Sequence, residues 1–425
     1  MIQERDTSQG NARTPVWMLI GSYWPAPEGG AERQCRSLTY QLQRLGFDCT
    51  VVTSRSSYAS RATDTDQGVT IRRLGILTPI AAAARRGLQA ARALVLRQFG
   101  ARAAAAERVG NAVEFWLMAP LVWLSRLEFL VEVALALRPR VSEAAIIHVH
   151  ESSWLAGLGV WLGRRNRIPV LCKEATFPAL GALGFDTPFR KSLDRERRLA
   201  SFVVTTQASL ESARARGIPA DRLHLIPNGV TVPPEPPGRS GSASVLYVGN
   251  FSQGAHWKAF DVLFDAWALV ERAVPGARLT VVGAGERSVW EQRLCHLGAE
   301  RSVEFAGRVA DPARFYREAS VFVLPSRVEG MSNALLEAQS WGLPAVVSDI
   351  PGNTAVVEDG VNGLVVQAGN APALADAVVR LLRAPDVRNR MGLAARERMR
   401  LHFSSECVAE QIAALYRELS TTPGG

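Results

Sequence analysis

Cysteine pairs, long apolar runs and a signal-peptide core are all missing from this sequence. The five cysteines are widely separated and form no Cys-x-x-Cys pair, which argues against a disulfide framework or a zinc site. No uninterrupted run of about 20 apolar residues occurs, so a membrane-spanning helix is not expected. The N-terminus is polar and contains no apolar signal core. We therefore expect a cytoplasmic protein with reduced cysteines, able to bind the inner face of the cytoplasmic membrane peripherally.

Motifs for metal or nucleic-acid binding are also absent from the sequence. The run His148-Val-His150 has no third ligand at the spacing of a metal site. The net charge of +9 fits anionic partners such as nucleotide diphosphates, lipid phosphates or an anionic membrane surface. Nucleic acid would fit the charge as well, but no nucleic-acid-binding motif accompanies it. We expect neither a bound metal nor a nucleic-acid partner.

The most informative stretch covers residues 321–349. It opens with a short apolar run of strand length and continues into a loop that contains Glu329. Ser332 or Asn333 can cap the helix that follows, and a second apolar run over 345–347 returns to the sheet. This order predicts a strand–loop–helix–strand unit of a parallel sheet, with the loop at the carboxyl end of a strand.

Two carboxylates, Glu329 and Glu337, flank the start of that helix. The backbone amides of residues 331–334 lie between them, and the unpaired amides at a helix N-terminus suit a phosphate group. A carboxylate nearby can accept hydrogen bonds from the two hydroxyls of a ribose. The pattern therefore predicts a pocket for a sugar nucleotide. The alternative is an ordinary capped helix with one surface Glu and one Glu satisfied by its neighbours.

The stretch also resembles a known signature. Glu329-Gly-x6-Glu337, followed by Gly342-Leu-Pro344, is similar to the Glu-x7-Glu motif of the retaining glycosyltransferases of family 4. The resemblance extends over most of the chain except about residues 55–140. It implies the α/β GT-B fold, in which two Rossmann-like, doubly wound domains face a central cleft. It also implies retention of anomeric configuration and no required cofactor, with a nucleotide-diphosphate sugar, UDP- or GDP-linked, as the donor substrate.

On this resemblance the chain divides into four parts. Residues 1–231 form the acceptor-binding domain, which carries a helical insertion at about 79–138. Residues 232–244 are rich in Pro, Gly and Ser and read as a linker. Residues 245–400 form the donor-binding domain. The last part, 401–425, is a terminal helix that in relatives crosses back to the N-terminal domain.

The insertion has two parts of different composition. Residues 79–107 are rich in Ala and Arg, whereas residues 115–137 are strongly apolar but interrupted by charges. Both compositions favour helix. The first part can lie on anionic lipid with its arginines outward, and either part can instead pack on the N-terminal domain.

Two segments of the N-terminal half are candidate ligand contacts. Gly29 and Gly30 lie between a strand and a helix, where they let the backbone approach a ligand or simply shape a turn. The resemblance places them at the donor phosphates and the acceptor. His150 ends a later strand, and the resemblance makes it the His that faces the sugar, although a lone His is more often structural. Lys173 stands where relatives often have a His, which leaves the acceptor contacts open.

The C-terminal half supplies the expected donor contacts. Lys258 follows a strand that ends in Gly249, and the resemblance makes it the cation that binds the diphosphate. Many relatives have an Arg where this chain has Asn250, so one of the two usual cationic phosphate contacts is either missing or supplied elsewhere, with Arg308 and Arg327 as candidate substitutes. The residues expected to bind the donor are Glu337, Lys258, Gly330, Met331, Ser332, Asn333, Gly249, Asn250, Arg308 and Val309.

The resulting hypothesis is a hexosyltransferase that acts on a glycan or lipid-linked acceptor, in cell-surface polysaccharide or glycolipid synthesis. Glu329, Lys258 and His150 are the expected catalytic residues. Lys258 and the helix amides would stabilise the leaving diphosphate, and Glu329 would contact the sugar ring. The alternatives are a nucleotide-sugar epimerase of the same fold and a non-catalytic subunit that binds sugar nucleotides. The sequence leaves the oligomeric state open.

Overall fold

The computed structural model describes residues 13–24, 29–55, 60–75, 80, 84, 87, 124, 127–129, 131–135, 144–150, 154–174, 200–234, 243–251 and 256–421. The chain forms two compact units. The first contains Met1–Lys173, Leu183–Phe202 and Ala413–Gly425, and the second contains Glu174–Ala182 and Val203–Ile412.

The first sheet is built mainly from short apolar runs, as expected for strands that are covered on both faces. Its strands are β1 (Thr14–Ile20), β2 (Phe47–Ser54), β3 (Thr63–Asp66), β4 (Val69–Leu74), β5 (Ile146–Val149), β6 (Val170–Glu174), β7 (Ser201–Val204) and β8 (Leu223–Leu225). Their order in the sheet is β3-β4-β2-β1-β5-β6-β7-β8. The β1–β2, β1–β5, β2–β4 and β5–β6 pairs are parallel.

The antiparallel hairpin of β3 and β4 was not expected from the sequence, because the motif Asp-Gln-Gly falls in the region that the resemblance leaves out. Gln67 and Gly68 form its turn, and both have positive φ angles, 49° and 86°. This conformation matches the twist of the two strands, which is why two-residue hairpin turns favour it. Asp66, just before the turn, is buried and paired with Arg36 at 2.8 Å.

The strand order creates a switch point in the first sheet. From β1 the chain continues to β2 on one side, whereas from β5 it continues to β6 on the other side. The connections therefore diverge between the carboxyl ends of β1 and β5, and such a point is where open α/β sheets bind ligands. The loop before Gly30 follows β1, and His150 follows β5.

The second sheet repeats this arrangement. Its strands are β9 (Ser244–Val248), β10 (Arg278–Val282), β11 (Val303–Gly307), β12 (Val321–Leu324), β13 (Ala345–Ser348) and β14 (Gly363–Val366). They are parallel and follow the order β11-β10-β9-β12-β13-β14. The switch point lies between β9 and β12, so the segments that follow these two strands meet at one edge of the sheet.

Two glycine turns pack directly against each other at that edge. Gly249 follows β9 and Gly283 follows β10, with φ angles of 156° and 153°. A Cβ on Gly283 would stand 2.0 Å from the carbonyl oxygen of Gly249, which no side chain can do. Gly283 is therefore required by the close approach of two backbones.

Helices cover the sheets. They are α1 (Gly30–Arg44), α2 (Trp154–Asn166), α3 (Gln207–Ala215), α4 (Phe260–Ala273), α5 (Arg287–Leu297), α6 (Ala313–Glu318), α7 (Asn333–Ser340), α8 (Pro351–Thr354), α9 (Ala371–Arg383), α10 (Pro385–Arg398) and α11 (Ser405–Thr421). The N-terminal turns of α10 are polar, so its start at Pro385 has no apolar pattern to mark it in the sequence. In the second unit, α4 packs on the sheet through a buried face that includes Phe264 and Trp267.

Most of the predicted helical insertion, residues 79–138, lies outside the described residues. Its best described parts, 127–129 and 131–135, are helical, and there Phe129 and Val133 are buried. The Glu132 carboxylate also accepts a hydrogen bond from the Gly75 backbone N–H at 2.5 Å. This part packs within the first unit, in agreement with the packing alternative. Among the described residues, no helix has the length and hydrophobicity of a bilayer span.

Candidate active site

The site in the second unit is centred on an ion pair between residues far apart in sequence. The Lys258 Nζ lies 2.6 Å from Glu329 Oε1, and Ser326 Oγ donates a hydrogen bond of 2.8 Å to the same oxygen. The Lys258 side chain is 22% exposed and that of Glu329 is 12% exposed. Lys258 follows β9 and Glu329 follows β12, so the switch point brings together the two residues that the sequence predicted to act together.

The turn that carries Lys258 is held against the Glu329 loop by Arg327. Its backbone N–H donates to Trp257 O at 2.7 Å, and its guanidinium binds Asp261 through both oxygens at 2.9 and 2.7 Å. Asp261 raises the pKa of this guanidinium, and the pair lowers the pKa of Asp261 in turn. The charge of Arg327 is therefore already shared with a carboxylate, which weighs against its expected role as a replacement phosphate cation.

The Glu329 loop depends on a glycine that sequence reasoning treated only as part of a turn. A Cβ on Gly352, in α8, would lie 2.3 Å from Gly330 O and 2.5 Å from Glu329 O. Because Gly352 has no side chain, the backbone of α8 can pack directly against the Glu329 loop. No local sequence pattern predicts this contact, because it joins segments that are separate along the chain.

Helix α7 begins as predicted, with Ser332 as its cap. Ser332 Oγ accepts a hydrogen bond from the Leu335 N–H at 3.4 Å, and Asn333 is the first helical residue. Glu337 lies one turn later, and Tyr316 donates to its Oε2 at 2.8 Å. The helix start is also tied to Asn228, whose Nδ2 donates to Asn333 Oδ1 at 3.0 Å. The amides at the helix start therefore lie between Glu329, in the preceding loop, and Glu337, in the helix, as the spacing indicated.

Tyr247 is the residue of this site that sequence reasoning missed. It lies in β9 and is fully buried, yet its hydroxyl has no hydrogen-bond partner among the described residues. Burial, with a smaller contribution from the Glu329 charge, raises its pKa well above the usual value. A Cβ on Gly249 would come within 2.8 Å of the Tyr247 hydroxyl. The phenol therefore lies beneath the glycine turn and close enough to Glu329 to respond to its charge.

The remaining expected donor contacts lie around the same edge. Asn250 Oδ1 accepts a hydrogen bond from the Ala284 N–H at 3.3 Å, so this side chain bridges the two glycine turns. Arg308 is exposed after β11 and Val309 is partly buried beside it. The expectation that Arg308 replaces the Arg of relatives stays a prediction.

The first unit contains the other predicted residues. Gly29 is the N-cap of α1, and a Cβ there would lie 2.6 Å from Glu32 Oε2. His150 is 4% exposed, and its ring stacks on that of His148 with centroids 4.2 Å apart. Burial lowers the pKa of His148 to about 3 and that of His150 well below its usual value. Both imidazoles are therefore neutral at physiological pH.

Comparison with known proteins identifies the family. The model of the glycosyl transferase 4-like domain matches residues 29–229, and that of the glycosyl transferases group 1 matches residues 242–384. The phosphatidyl-myo-inositol mannosyltransferase of Mycobacterium leprae is 30% identical over 289 residues, which cover 65% of this chain and 74% of that protein. This chain belongs to the group 1 glycosyltransferases. CapM, a capsular polysaccharide biosynthesis glycosyltransferase of Staphylococcus aureus, is 27% identical over 172 residues, which cover 40% of this chain and 44% of CapM.

Solved structures confirm the predicted fold of this group 1 glycosyltransferase. Anabaena HepE in complex with UDP and glucose matches with a TM-score of 0.69 at 17% identity, over 96% of this chain and all of that chain. WaaG, a glycosyltransferase involved in lipopolysaccharide biosynthesis, matches with a TM-score of 0.65 at 14% identity, over 94% and 99% of the two chains. Both are α/β proteins of the GT-B type, so the expectation of two Rossmann-like domains is correct.

Proposed function

We propose that this glycosyltransferase moves a hexose from a nucleotide-diphosphate sugar to a glycan or lipid-linked acceptor, with retention of anomeric configuration. The observation that carries the proposal is the Lys258–Glu329 pair at the switch point of the second sheet, beside the capped start of α7. A cation and the amides of a helix N-terminus suit a diphosphate, and a carboxylate suits a sugar that gains positive charge as its anomeric bond breaks.

Lys258 and the α7 amides stabilise the leaving group in this proposal. Breaking the anomeric C–O bond places negative charge on the diphosphate. A compact ammonium acts on it as a point charge, and preorganised amides add hydrogen bonds without a reorganisation cost. The Lys258 ammonium can turn from Glu329 towards the diphosphate when the donor binds, since only one of its three protons is used in the present ion pair.

Glu329 faces the sugar and Glu337 binds the ribose. Ser326 holds Oε1 of Glu329, which orients its carboxylate for the sugar hydroxyls and the oxocarbenium-like ring. Tyr316 holds Glu337 in the same way. His150, with its neutral buried ring, is the proposed contact to the sugar from the acceptor-binding domain, and Gly29 and Gly30 are its companions there.

The relatives support the substrate classes. HepE was solved with UDP-glucose, and TarM of Staphylococcus aureus with UDP and α-GlcNAc-glycerol, which supports a UDP-linked donor over a GDP-linked one. The name of the Mycobacterium leprae relative specifies a phospholipid acceptor, and the name of CapM specifies capsular polysaccharide synthesis. Together they favour cell-surface glycan or glycolipid synthesis, with peripheral binding to the cytoplasmic membrane.

The test uses the purified full-length chain and a panel of UDP- and GDP-sugars. Thermal shift selects the donor, because a ligand that binds only the folded state raises the melting temperature. Mass spectrometry then follows transfer to glycan and lipid-linked acceptors, and NMR of the product gives the anomeric configuration. An isomerised sugar nucleotide without acceptor would instead indicate an epimerase, and tight binding without any product would indicate a non-catalytic subunit.

The variant Lys258→Met is expected to abolish transfer while the fold is kept. Arg400→Met is the matched control, since it also removes one positive charge but from an exposed pair with Glu397. Full turnover by Lys258→Met would contradict the assigned role.

A further inference from the structure

Lysine is rare in this chain, and one of its lysines is buried and forms no ion pair with another of the described residues. The sequence has 46 arginines but only three lysines, Lys173, Lys191 and Lys258. Lys191 lies outside the described residues and Lys258 belongs to the donor site. Lys173 is the third, and it lies in the first unit.

Lys173 lies near the carboxyl end of β6, beside the switch point of the first sheet. In the register of β5 and β6, Val149 pairs with Cys172, so the next position along both strands places His150 beside Lys173. Lys173 is 5% exposed. It is also close enough to His148 and His150 to lower the pKa of both rings.

Three polar groups of this cluster lack partners. Within the described ranges, the Lys173 ammonium forms no hydrogen bond and no ion pair. The Nε2 atoms of His148 and His150 are buried and also lack a partner among the described residues. His148 is fixed from its other side, where Nδ1 lies 2.6 Å from the Tyr416 hydroxyl. Buried polar groups are nearly always paired in folded proteins, and a buried charge without a partner is costly.

The surroundings leave the ammonium charged. Burial lowers the pKa of Lys173 to about 8, and the neighbouring Cys35 thiol opposes this only weakly. Burial also raises the pKa of Cys35 to about 12, so that thiol is neutral and supplies no negative charge. A protonated lysine therefore faces two neutral imidazoles.

We propose that Lys173 and His150 form a subsite for an anionic group of the acceptor, a phosphate or a carboxylate. The inference rests on the proposed function, which gives the acceptor to this unit. An anionic oxygen would supply the missing counter-charge of Lys173, and His150 in its Nε2-protonated tautomer would donate a second hydrogen bond. A lysine in a chain this rich in arginine fits a role for a compact point charge.

The test observes the lysines directly. The protein is labelled with lysine carrying 13C at Cε, so its spectrum contains at most three lysine side-chain signals. The Lys173 signal is assigned by its loss in Lys173→Met, or in Lys173→Gln if the first variant does not fold. With the donor site filled by UDP, inorganic phosphate, butyl phosphate and methyl glucuronide are titrated separately at constant ionic strength. Saturable movement of the Lys173 signal is the expected result.

The three probes separate the sources of the anionic group. A free phosphate, a phosphate monoester of an alkyl chain and a sugar carboxylate share the chemistry, and the tightest of the three identifies the acceptor class. The response of Lys258 to UDP reports on the proposed donor site independently. If neither UDP nor GDP moves that signal, the proposed donor site is in error, whereas the Lys173 titration still decides the subsite.

Lys173→Met is expected to weaken binding of the preferred probe about ten- to hundredfold, the range for a lost charge-assisted hydrogen bond. Arg165→Met removes an exposed charge of the same unit and is expected to change nothing. Transfer to neutral acceptors should survive in Lys173→Met and transfer to anionic acceptors should fall. The proposal is overturned if the wild-type Lys173 signal does not move with any probe, or if Lys173→Met binds the probes as tightly as the wild type.

Discussion

Replacement of Glu329 by glutamine is expected to change nucleotide binding and sugar transfer in opposite directions. In the structure without ligand, Glu329 holds the Lys258 ammonium at 2.6 Å. A diphosphate must compete with this carboxylate for the same cation, and it must approach a negative charge while doing so. Glutamine has the same size and still accepts the Ser326 hydrogen bond, so Glu329→Gln removes the charge and little else.

The solvent exposure of the Lys258–Glu329 pair determines how much UDP affinity is gained when the Glu329 charge is removed. Two unit charges about 4 Å apart interact by about 4 kcal/mol at the effective dielectric constant of a protein surface. Lys258 and Glu329 are 22% and 12% exposed, so solvent and salt reduce the remaining competition to about 1–2 kcal/mol. Glu329→Gln should therefore bind UDP about tenfold more tightly. Loss of the carboxylate from the sugar side should lower the rate of transfer by about a hundredfold or more, as for other preorganised charges.

Calorimetry with UDP and a turnover assay with the selected donor measure the two effects. Lys258→Met is measured alongside and should lose both binding and turnover. The control is Glu291→Gln, which removes the carboxylate of an exposed pair with Arg287 and should leave both quantities unchanged. If Glu329→Gln weakens UDP binding as Lys258→Met does, the carboxylate supports the nucleotide and the reasoning from competition is refuted.

Four further predictions concern other residues. Glu337→Gln should weaken UDP about tenfold but leave the binding of 2′,3′-dideoxy-UDP unchanged, since only the ribose contact is lost. Tyr247→Phe should keep or raise the melting temperature, because it removes a buried hydroxyl without a partner, and a simultaneous fall in turnover would show that the hydroxyl serves the donor. Gly283→Ala should lower the free energy of unfolding by about 3 kcal/mol or prevent folding, as its Cβ would lie 2.0 Å from Gly249 O; a neutral result would contradict the backbone packing. Lys173→Met should stabilise the fold by about 3 kcal/mol, because burial lowers the pKa of Lys173 from 10.5 to about 8. The folded wild type releases this proton more readily than the unfolded chain does. The stability gained by Lys173→Met is therefore complete below pH 8 and disappears as the pH rises to 10.5. A difference in melting temperature that stays constant across this range would contradict the prediction.

The fold and the centre of the site follow from the sequence because both depend on patterns of short range. Apolar runs bounded by glycine and proline locate most strands, and parallel strands place their carboxyl ends along one edge. Lys258 and Glu329 each follow such a strand, which is why their common position could be predicted although 71 residues separate them. That they bind each other before any ligand arrives could not be predicted, since strand order fixes backbones and leaves side-chain rotamers open.

Other parts of the site were missed for physical reasons. Tyr247 lies inside an apolar strand, where a tyrosine is expected to be part of the core, and it is distinguished only by a hydroxyl that has no partner among the described residues. The sequence around Gly352 is compatible with many turns and helix starts. Only the structure shows that a side chain at this position would collide with the carbonyl oxygen of Glu329. The pairing of Arg327 with Asp261 was not foreseen, because the two residues lie 66 positions apart in the chain. Each of these contacts exists only in three dimensions and has no local signature.

A cation that stabilises the fold can be distinguished from one that binds a ligand by comparing how its removal changes stability and anion binding. A structural cation is expected to have its carboxylate, as Arg36 has Asp66 and Arg327 has Asp261. Lys258 has a carboxylate that a diphosphate can displace, and Lys173 has none among the described residues. A variant that gains stability when such a charge is removed, and loses binding of an anion at the same time, identifies a residue that the fold tolerates for the sake of its ligand. Lys173→Met is therefore the more decisive of the two substitutions, because for Lys258 the loss of the Glu329 pair obscures any gain.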